Sequence, residues 1–465
     1  MALGTYSMNP AFQVRIGRMS CWGGGWNRAL VLKDALNDQE SHVSTVNTAG
    51  ARTRQDVTTL ANGLTLLVES MPAVRSAAMT LLTPCGASSD PVDGLGNANV
   101  LADWITRGAG ERDNRALTDY LDSLGVQRST SADIVFMRMG ATVLADKLPQ
   151  VLEIYADMTQ RPMLPDAGFE PARDLAMQQL DAIEDEPAQK LSLLIKARHF
   201  PDPFGRPVVG NREHLRNLTS ATLRRDFQNR FTPRGSILAV AGAVEFSAVH
   251  DLVQRHFGSW RAREPVQVPI RSAVRGVWHE QQASNQVQIG LAFDAIPESD
   301  PDSIVLQLAM NILSGGMGAR LFSEIREKQG LCYAVNAGYM SLKHVGAVLG
   351  YAGTVPQRAQ QTLDSFLREL KRFSLGADGD ELARAKVGMK AGVIMNGESS
   401  AARAAAIAHD YYHYGRPRTL DELRARIESV ELQRLNAFLA DHQPGKLTVV
   451  TIGPAPLSVP TDMIE

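Results

Sequence analysis

The sequence predicts an α+β fold with two similar domains, each a mostly antiparallel sheet with helices packed on one face. Two observations predict this class. Apolar runs typical of strands occur in pairs, and each pair is followed by longer segments with the period of a helix. This order occurs twice, and each occurrence ends in a short apolar run, SILAVAGAV in the first half and KLTVVTIGPA in the second.

The first half opens with a predicted hairpin. Asn62-Gly63 is a turn pair, and the apolar run 64–68 directly after it predicts a strand. The elements predicted after this strand are, in order, a strand at 77–83, helices at 97–106 and 114–123, a strand at 135–143, helices at 147–158 and 171–183, a strand at 237–244 and a helix that ends at 256.

A segment with prolines, arginines and little periodicity, residues 263–276, is predicted to be a linker between the two halves. The plan of the first half then repeats. The elements predicted in the second half are a strand at 286–293, a helix at 302–313, a hairpin with strands at 334–341 and 346–354, helices at 355–373 and 378–395, and a strand in KLTVVTIGPA. We therefore expect an unassigned N-terminal extension at 1–55, a first domain at 56–262 and a second domain at 277–465.

The near balance of charge excludes two classes of partner. The chain of 465 residues has 48 basic and 50 acidic residues and a net charge of −2, so no overall field attracts nucleic acid or an anionic membrane. No apolar run approaches the roughly 18 to 20 residues of a membrane helix. Three widely spaced cysteines, Cys21, Cys85 and Cys332, fit neither a disulfide framework nor a CxxC motif. We expect a cytoplasmic protein, and residues 1–55 leave organellar or periplasmic targeting open.

Four stretches in a fixed order carry a resemblance to a known family. They are NGLTLLVE with GASSDP, then HFPDPFGRPVVGNREHLRNLT, then RFTPRGSILAVAGAV, and finally GGMGARLFSEIREKQGLCYAV, which is the most specific of the four. Together they resemble the M16 metallopeptidases, which include pitrilysin-like enzymes, mitochondrial processing peptidases and the core proteins of the respiratory bc1 complex. The resemblance covers residues 55–455 and implies two domains of the fold shared by LuxS and the M16 peptidases.

The zinc motif of that family is degenerate in this sequence. Active members carry HxxEH on the helix after the turn that GASSDP matches, because two imidazoles four residues apart can hold zinc while the glutamate acts as a base. The positions that match the two histidines and the glutamate hold Asn99, Asp103 and Ala102, and the position of the third ligand holds Gln179. Neither HxxEH nor HExxH occurs elsewhere in the chain. The resemblance therefore implies no metal ligand and no catalytic residue in this chain.

The second half keeps two residues that the resemblance assigns to substrate binding. Arg326 and Tyr333, in REKQGLCY, match an arginine and a tyrosine that bind the substrate backbone across an enclosed chamber. A guanidinium and a phenol can each donate a hydrogen bond to a peptide carbonyl. The alternative is a structural pair at a turn, in which Glu324 or Glu327 binds Arg326.

Two further groups of residues have competing interpretations. Gly315, Gly316 and Gly318 precede a helix, but no GKS or GKT follows, so a tight turn is favoured over a phosphate site, and the resemblance places this loop beside the peptide chamber. His409 and His413 lie four apart on a predicted helix. A polar helix face is favoured there over a metal pair, because no third ligand stands at a known spacing.

The leading functional hypothesis is a non-catalytic, substrate-binding subunit. An M16-like chain with Arg326 and Tyr333 but without zinc ligands resembles one subunit of the bacterial heterodimeric M16 peptidases, in which a partner supplies zinc and the two subunits form a clamshell. The implied partners are peptides and a zinc-bearing M16 homologue in a heterodimer, with a homodimer as the other possibility. A structural or assembly protein, like the bc1 core proteins, is the alternative function, and a self-sufficient zinc peptidase is less favoured.

Overall fold

Two β-sheets form the centre of the computed structural model, which describes residues 54–463. The N-terminal extension predicted for residues 1–55, with its targeting question, lies almost wholly outside the described residues. The strands of the first half are β1 (Arg54–Thr59), β2 (Thr65–Ser70), β3 (Ser76–Thr83), the short β4 (Gly108–Ala109) and β5 (Arg112–Asp113), β6 (Gln127–Ala132), β7 (Met137–Leu144) and β8 (Ile237–Gly242). The strands of the second half are β9 (Val277–Gln281), β10 (Val287–Ala295), β11 (Ala334–Ser341), β12 (Gly346–Thr354) and β13 (Thr448–Gly453).

Helices fill the intervals between these strands. Those of the first half are α1 (Asn97–Trp104), α2 (Asn114–Ser123), α3 (Leu148–Gln160), α4 (Asp166–Glu184), α5 (Pro187–His199), α6 (Arg212–Asn217), α7 (Ser220–Arg230) and α8 (Phe246–Phe257). Those of the second half are α9 (Ser303–Ser314), α10 (Ala359–Phe373), α11 (Gly379–Gly397), α12 (Ser400–Tyr414), α13 (Leu420–Glu428) and α14 (Leu432–Asp441). A π-helical segment, Phe322–Lys328, precedes β11. Among residues 54–463, no helix combines the length and the hydropathy of a membrane span.

The two sheets share one topology. The first has the order β1-β2-β8-β3-β7-β6 and the second, read from its other edge, the order β9-β13-β10-β12-β11. If β1 is set aside as an added edge strand, each strand of the first sheet has a counterpart in the second. The parallel pair β2 and β8 corresponds to the parallel pair β9 and β13, and the other pairs are antiparallel. The repeated order of elements in the sequence is therefore a repeated strand order in the fold.

Each sheet packs helices of its own half on one face. In the first half, Trp104 of α1 and Tyr155 of α3 are fully buried in the same apolar core as Leu66 and Met79 of the sheet. In the second half, α9, α10 and α14 bury their apolar stripes against β10, β12 and β13. Burial of this much apolar surface supplies most of the free energy that holds each layer of helices in place.

The opposite face of each sheet is covered by a helix from the other half, which the sequence did not predict. Helix α12 lies across β3 and β8 of the first sheet, and helix α5 lies across β10 and β13 of the second. Leu191 and Ile195 of α5 pack with Ala292 and Val450, so the contact on the second sheet is apolar. Because each helix is covalently part of one half and packed into the other, the two halves form one compact unit.

A buried ion pair fixes α12 to the first sheet. Arg403 donates from Nε and Nη2 to the two carboxylate oxygens of Glu69, each over 2.7 Å, and both side chains are almost fully buried. Gln55 of β1 donates a further hydrogen bond to Glu69 over 2.7 Å. A buried charge needs such a partner, since an isolated one loses its hydration without compensation. The pair therefore specifies where the helix of the second half sits on the first.

Candidate functional site

Helix α1 carries the degenerate motif, and the segment GASSDP positions it. Asp90, the aspartate of that segment, is buried and accepts hydrogen bonds from the backbone N–H groups of Gly96 and Ala98, over 2.8 and 3.0 Å. Arg230 of α7 lies 3.0 Å from the same carboxylate. The carboxylate thus binds two of the free N–H groups at the start of the helix, where negative charge is most favourable.

The first pocket lies between α1 and α4, with strand β6 as its wall. Trp104 of α1 packs edge-on against Phe169 of α4, with ring centroids 5.2 Å apart, which holds the two helices together. The pocket has a volume of about 360 Å³, and its lining includes Asn99, Ala102 and Asp103 of α1 and Gln179 of α4. The fold thus brings together all four positions that the resemblance assigned to the metal motif.

The polar side chains at the motif positions of the first pocket are all hydrogen-bonded. Asn99 donates from Nδ2 to Oε1 of Gln179 over 2.9 Å, and Arg107 donates from Nε to Asp103 over 2.7 Å. Ala102 offers only a methyl group where the motif has its base. Zinc selects imidazole, thiolate and carboxylate ligands, and here it would meet two amides and one carboxylate that is already paired with a cation. These residues do not fit a zinc ion, so no metal-dependent step is derived for them.

The second pocket lies between α9 and α11, at the glycine-rich loop. It has a volume of about 320 Å³ and is lined by Gly315, Gly316 and Gly318 together with residues of both helices. A Cβ added at Gly316 or Gly318 would meet no other atom within 4 Å, so the glycines leave open space in the loop. Arg320, which follows the loop, binds Glu381 of α11 through two hydrogen bonds of 2.6 Å, and this pairing lowers the pKa of Glu381.

The segment after that loop presents Arg326. Leu321 and Ile325 are buried and anchor the π-helical segment, while the Arg326 side chain is exposed and lies over the ring of Phe322, 4.8 Å from its centroid. Among residues 54–463, its guanidinium makes no ion pair and no side-chain hydrogen bond. Glu324, offered above as a structural partner, lies 2.7 Å from Lys328 instead. π-Helical turns occur often at functional sites, and here one displays a free cation.

Tyr333 lies just before the edge strand β11. Its backbone N–H donates to the carbonyl of Gly353 on β12 over 2.9 Å, which fixes the main chain. Its side chain is 62% exposed, and its hydroxyl has no hydrogen-bond partner among the described residues. An aromatic side chain this exposed, on a backbone this well fixed, is free to contact a ligand.

The two histidines of α12 have a third neighbour that the sequence did not indicate. Glu298, in the turn after β10, places Oε2 at 3.4 Å from Nε2 of His409 and 3.9 Å from Nε2 of His413. His413 is buried, and this burial lowers its pKa to about 4, with His409 and Arg418 adding to the effect, so its imidazole is neutral. Glu298 stands more than a hundred residues before the histidines, and no local spacing pattern links them.

Two other reactive side chains are structural. Cys332 is buried in the core of the second half, and burial raises the pKa of its thiol, so it packs as a small apolar residue. His199 at the end of α5 is fully buried, and its Nδ1 lies 3.0 Å from the Thr448 hydroxyl. Burial and the positive charge of Arg275 lower the pKa of His199 to about 4.

Comparisons with known families cover most of the described chain. Residues 65–212 match the family described as insulinase, peptidase family M16, and residues 217–389 match the peptidase M16 inactive domain. An uncharacterized zinc protease of Mycobacterium tuberculosis is 26% identical over 408 residues, which are 85% of this chain and 92% of that protein. An uncharacterized zinc protease of Bacillus subtilis is 25% identical over 390 residues, 82% of this chain and 93% of that one.

Two solved structures share the fold. A peptidase M16 inactive domain from Pseudomonas fluorescens superposes with a TM-score of 0.78 at 22% identity and covers 87% of this chain and all of its own. A protease from Helicobacter pylori gives the same TM-score at 19% identity, over 86% of this chain and all of its own. At these identities the two structures establish the fold alone, which agrees with the fold class predicted from the sequence.

Proposed function

Because the chain belongs to the M16 peptidase family, we propose that it is a non-catalytic subunit that binds peptide substrate for a zinc-bearing homologue. One observation carries the proposal. The four positions of the metal motif meet in one pocket, where their polar side chains are hydrogen-bonded, whereas the side chains of Arg326 and Tyr333 are exposed and have no hydrogen-bond or ion-pair partner among residues 54–463. On this proposal the degenerate motif of the chain holds no zinc, and its partner supplies the catalytic metal and the catalytic base.

The wall of the first pocket supports binding of an extended peptide. Strand β6 is the last strand of its sheet, so one side of its backbone faces no other strand. Residues 128–132 of β6 also line the pocket. Edge strands bind extended peptides through main-chain hydrogen bonds, which accept many sequences. We therefore propose that a peptide adds to this edge, and that loss of the metal ligands leaves this mode of binding intact.

Arg326 and Tyr333 are proposed to bind peptide carbonyl groups. A guanidinium and a phenol are donors, and donors lower the free energy most where negative charge develops on a carbonyl oxygen. The exposed positions of both side chains suit an interaction with groups that come from outside the chain. In a two-subunit enzyme, these donors would act on a peptide held at the partner's metal.

The test is reconstitution with an HxxEH-bearing M16 homologue from the same organism. The two purified proteins are assayed, alone and mixed, on a set of internally quenched peptides. We expect turnover above the level of the homologue alone only in the mixture, and a loss of roughly 100-fold in that turnover with Arg326→Ala. Tyr333→Phe, which removes only the hydroxyl, should lower turnover as well.

The matched control is Arg255→Ala, which removes another exposed arginine, on α8, that has no ion pair within the described residues. It should leave turnover unchanged. If the proteins assemble and cleave peptides equally well with wild-type, Arg326→Ala and Tyr333→Phe chains, the substrate-binding role is wrong and the assembly role is favoured. If the chain alone cleaves peptides with stoichiometric zinc and loses activity with chelator, the non-catalytic assignment itself is wrong.

A further inference from the structure

Two imidazoles and a carboxylate meet outside both pockets, on the second half of the chain. His409 and His413 stand four residues apart on α12, so they project from the same face of the helix. Glu298 reaches them from the turn after β10, and its backbone N–H donates to the Ser341 hydroxyl over 2.8 Å. Two histidines at this spacing with one carboxylate from another element are a common donor set for transition metals.

The distances within this cluster favour metal ligands over hydrogen bonds. Oε2 of Glu298 lies 3.4 Å from Nε2 of His409 and 3.9 Å from Nε2 of His413. A charged hydrogen bond between such groups spans about 2.7 to 2.9 Å. Two ligands of a tetrahedral zinc ion, each bound at about 2.0 to 2.1 Å, lie about 3.4 Å apart. The first distance equals that separation, and the second needs a shift of a few tenths of an ångström.

The environment of the His413 side chain, together with the distances above, also indicates a bound ligand. Its side chain is 3% exposed, Nδ1 is buried without a hydrogen-bond partner, and Nε2 faces Glu298 beyond hydrogen-bond distance. A buried polar group without a partner costs about 1 to 3 kcal/mol of stability. That cost belongs to Nδ1, whereas a metal ion would bind the other nitrogen, Nε2, which faces Glu298 and makes no hydrogen bond among the described residues.

The surroundings orient the carboxylate and leave room for the ion. Oε1 of Glu298 is turned toward Arg418, whose Nη2 lies 3.7 Å away, so Oε2 is left for the imidazoles. The Arg418 guanidinium is itself bound by Asp410 over 2.6 Å, which offsets its positive charge.

His409 is half exposed, and a cavity of about 220 Å³ that both histidines line lies beside the cluster. Lys343 also lies near this helix, and its positive charge, like that of Arg418, opposes a metal ion.

We propose that Glu298, His409 and His413 bind one divalent transition-metal ion, with Zn²⁺ as the closest chemical match. Three protein ligands leave a fourth position of a tetrahedral ion for water or another group. The ion would tie the turn after β10, in the second half, to the helix that covers the first sheet. This site shares no residue with the degenerate motif, and it does not depend on the proposed subunit role.

The test measures metal binding by the full-length, chelator-treated chain. Zn²⁺ is titrated by calorimetry and Co²⁺ by its visible absorption, which reports tetrahedral ligation. We expect one equivalent of metal, a higher Tm with Zn²⁺ present, and affinities at least about 10-fold weaker in His409→Ala and in Glu298→Gln. His250→Ala, which removes an exposed histidine beside Asp251, is the matched control and should bind like the wild type.

His409 is half exposed, so its alanine variant is expected to fold, and circular dichroism checks this for every variant. His413→Ala is added as a third variant and should lose binding as the others do. Absence of one bound equivalent in the wild type overturns the site. Equal binding by wild type, His409→Ala and Glu298→Gln also overturns it, because the metal is then held elsewhere.

Discussion

The pocket between α1 and α4 and the pocket between α9 and α11 occupy equivalent places in two halves of one topology. In each half, the first of the two helices comes directly after the central strand of the sheet, α1 after β3 and α9 after β10. The two pockets are also similar in size, about 360 and 320 Å³. In the first, Asn99 and Gln179 hydrogen-bond to each other across two helices. The second borders the glycine-rich loop, and the charges of Arg320 and Glu381 beside it are paired.

The two pockets have equivalent positions in the fold but different polar groups, so the position of a pocket does not determine its chemistry. Asp103 in the first pocket and Glu381 in the second are each paired with an arginine, and a further arginine, Arg384, also lines the second pocket. The free donors, Arg326 and Tyr333, stand on the segment that follows the second pocket. The first half thus brings the four motif positions together, and the exposed donors Arg326 and Tyr333 lie in the second half.

The largest expected effect comes from restoring the first pocket's ligands. The variant Asn99→His, Ala102→Glu, Asp103→His and Gln179→Glu rebuilds the motif in positions that the fold already brings together. We expect zinc affinity to rise by at least about 10³-fold, or about 4 kcal/mol, because three ligands then converge on one ion. Calorimetry in a His409→Ala background checks this without interference from the second-half cluster.

The control for that experiment omits Gln179→Glu and so leaves two histidines with a neutral amide. It should bind zinc at least about 10-fold more weakly than the full variant. Failure of the full variant to bind zinc, while it remains folded, would mean that the first pocket has also lost the geometry of the motif. The two pockets would then differ in shape as well as in their polar groups.

The next effect concerns the buried pair that holds α12 on the first sheet. Glu69→Gln keeps the shape of the side chain but leaves Arg403 as a buried charge without its partner. We expect the free energy of unfolding to fall by about 3 kcal/mol, measured by urea denaturation. Glu428→Gln, which breaks the exposed pair with Lys390, should cost much less, because solvent screens that pair. Equal losses in the two variants would contradict the structural role of the buried pair.

Local patterns made some of this architecture predictable. The strands of the hairpin 334–341 and 346–354 coincide with β11 and β12, because alternation and a short turn are properties of neighbouring residues. Strand β6 was not predicted, since its sequence QRSTSA lies at a sheet edge and has no apolar side to reveal it. Helices α5 and α12 cross to the other half through contacts with residues far away in sequence, which no local pattern records.

The candidate sites also differ in how far the sequence predicted them. Asn99 and Gln179, eighty residues apart, were placed together by the family resemblance, and the fold does bring them into contact. Glu298 matches no motif, so its approach to His409 and His413 follows only from the fold. The interpretation of those two histidines as a polar helix face omitted this third group because the sequence alone gave no reason to include it.

A smaller effect tests the contact of α5 with the second sheet. His199 is buried and neutral there, with a pKa of about 4 in place of 6.5. Between these values the unfolded chain binds more protons than the folded one, so stability falls as the pH drops through this window. We expect His199 to contribute a loss of about 2 kcal/mol between pH 7 and pH 5, seen as the difference between wild type and His199→Gln in urea denaturation. His250→Gln, at an exposed histidine, should follow the wild type.

The smallest expected effect on stability is at Arg326, and it is the most informative about function. Arg326→Ala removes an exposed guanidinium with no ion pair among residues 54–463, so the free energy of unfolding should change by less than about 0.5 kcal/mol. Arg320→Ala, six residues earlier, removes a half-buried bidentate partner of Glu381 and should cost about 2 kcal/mol. Urea denaturation compares the two variants directly. A residue that is silent in folding and in assembly with the partner, yet required for turnover, is one that acts on the substrate, whereas a loss of stability at Arg326 equal to that at Arg320 would make it a structural residue.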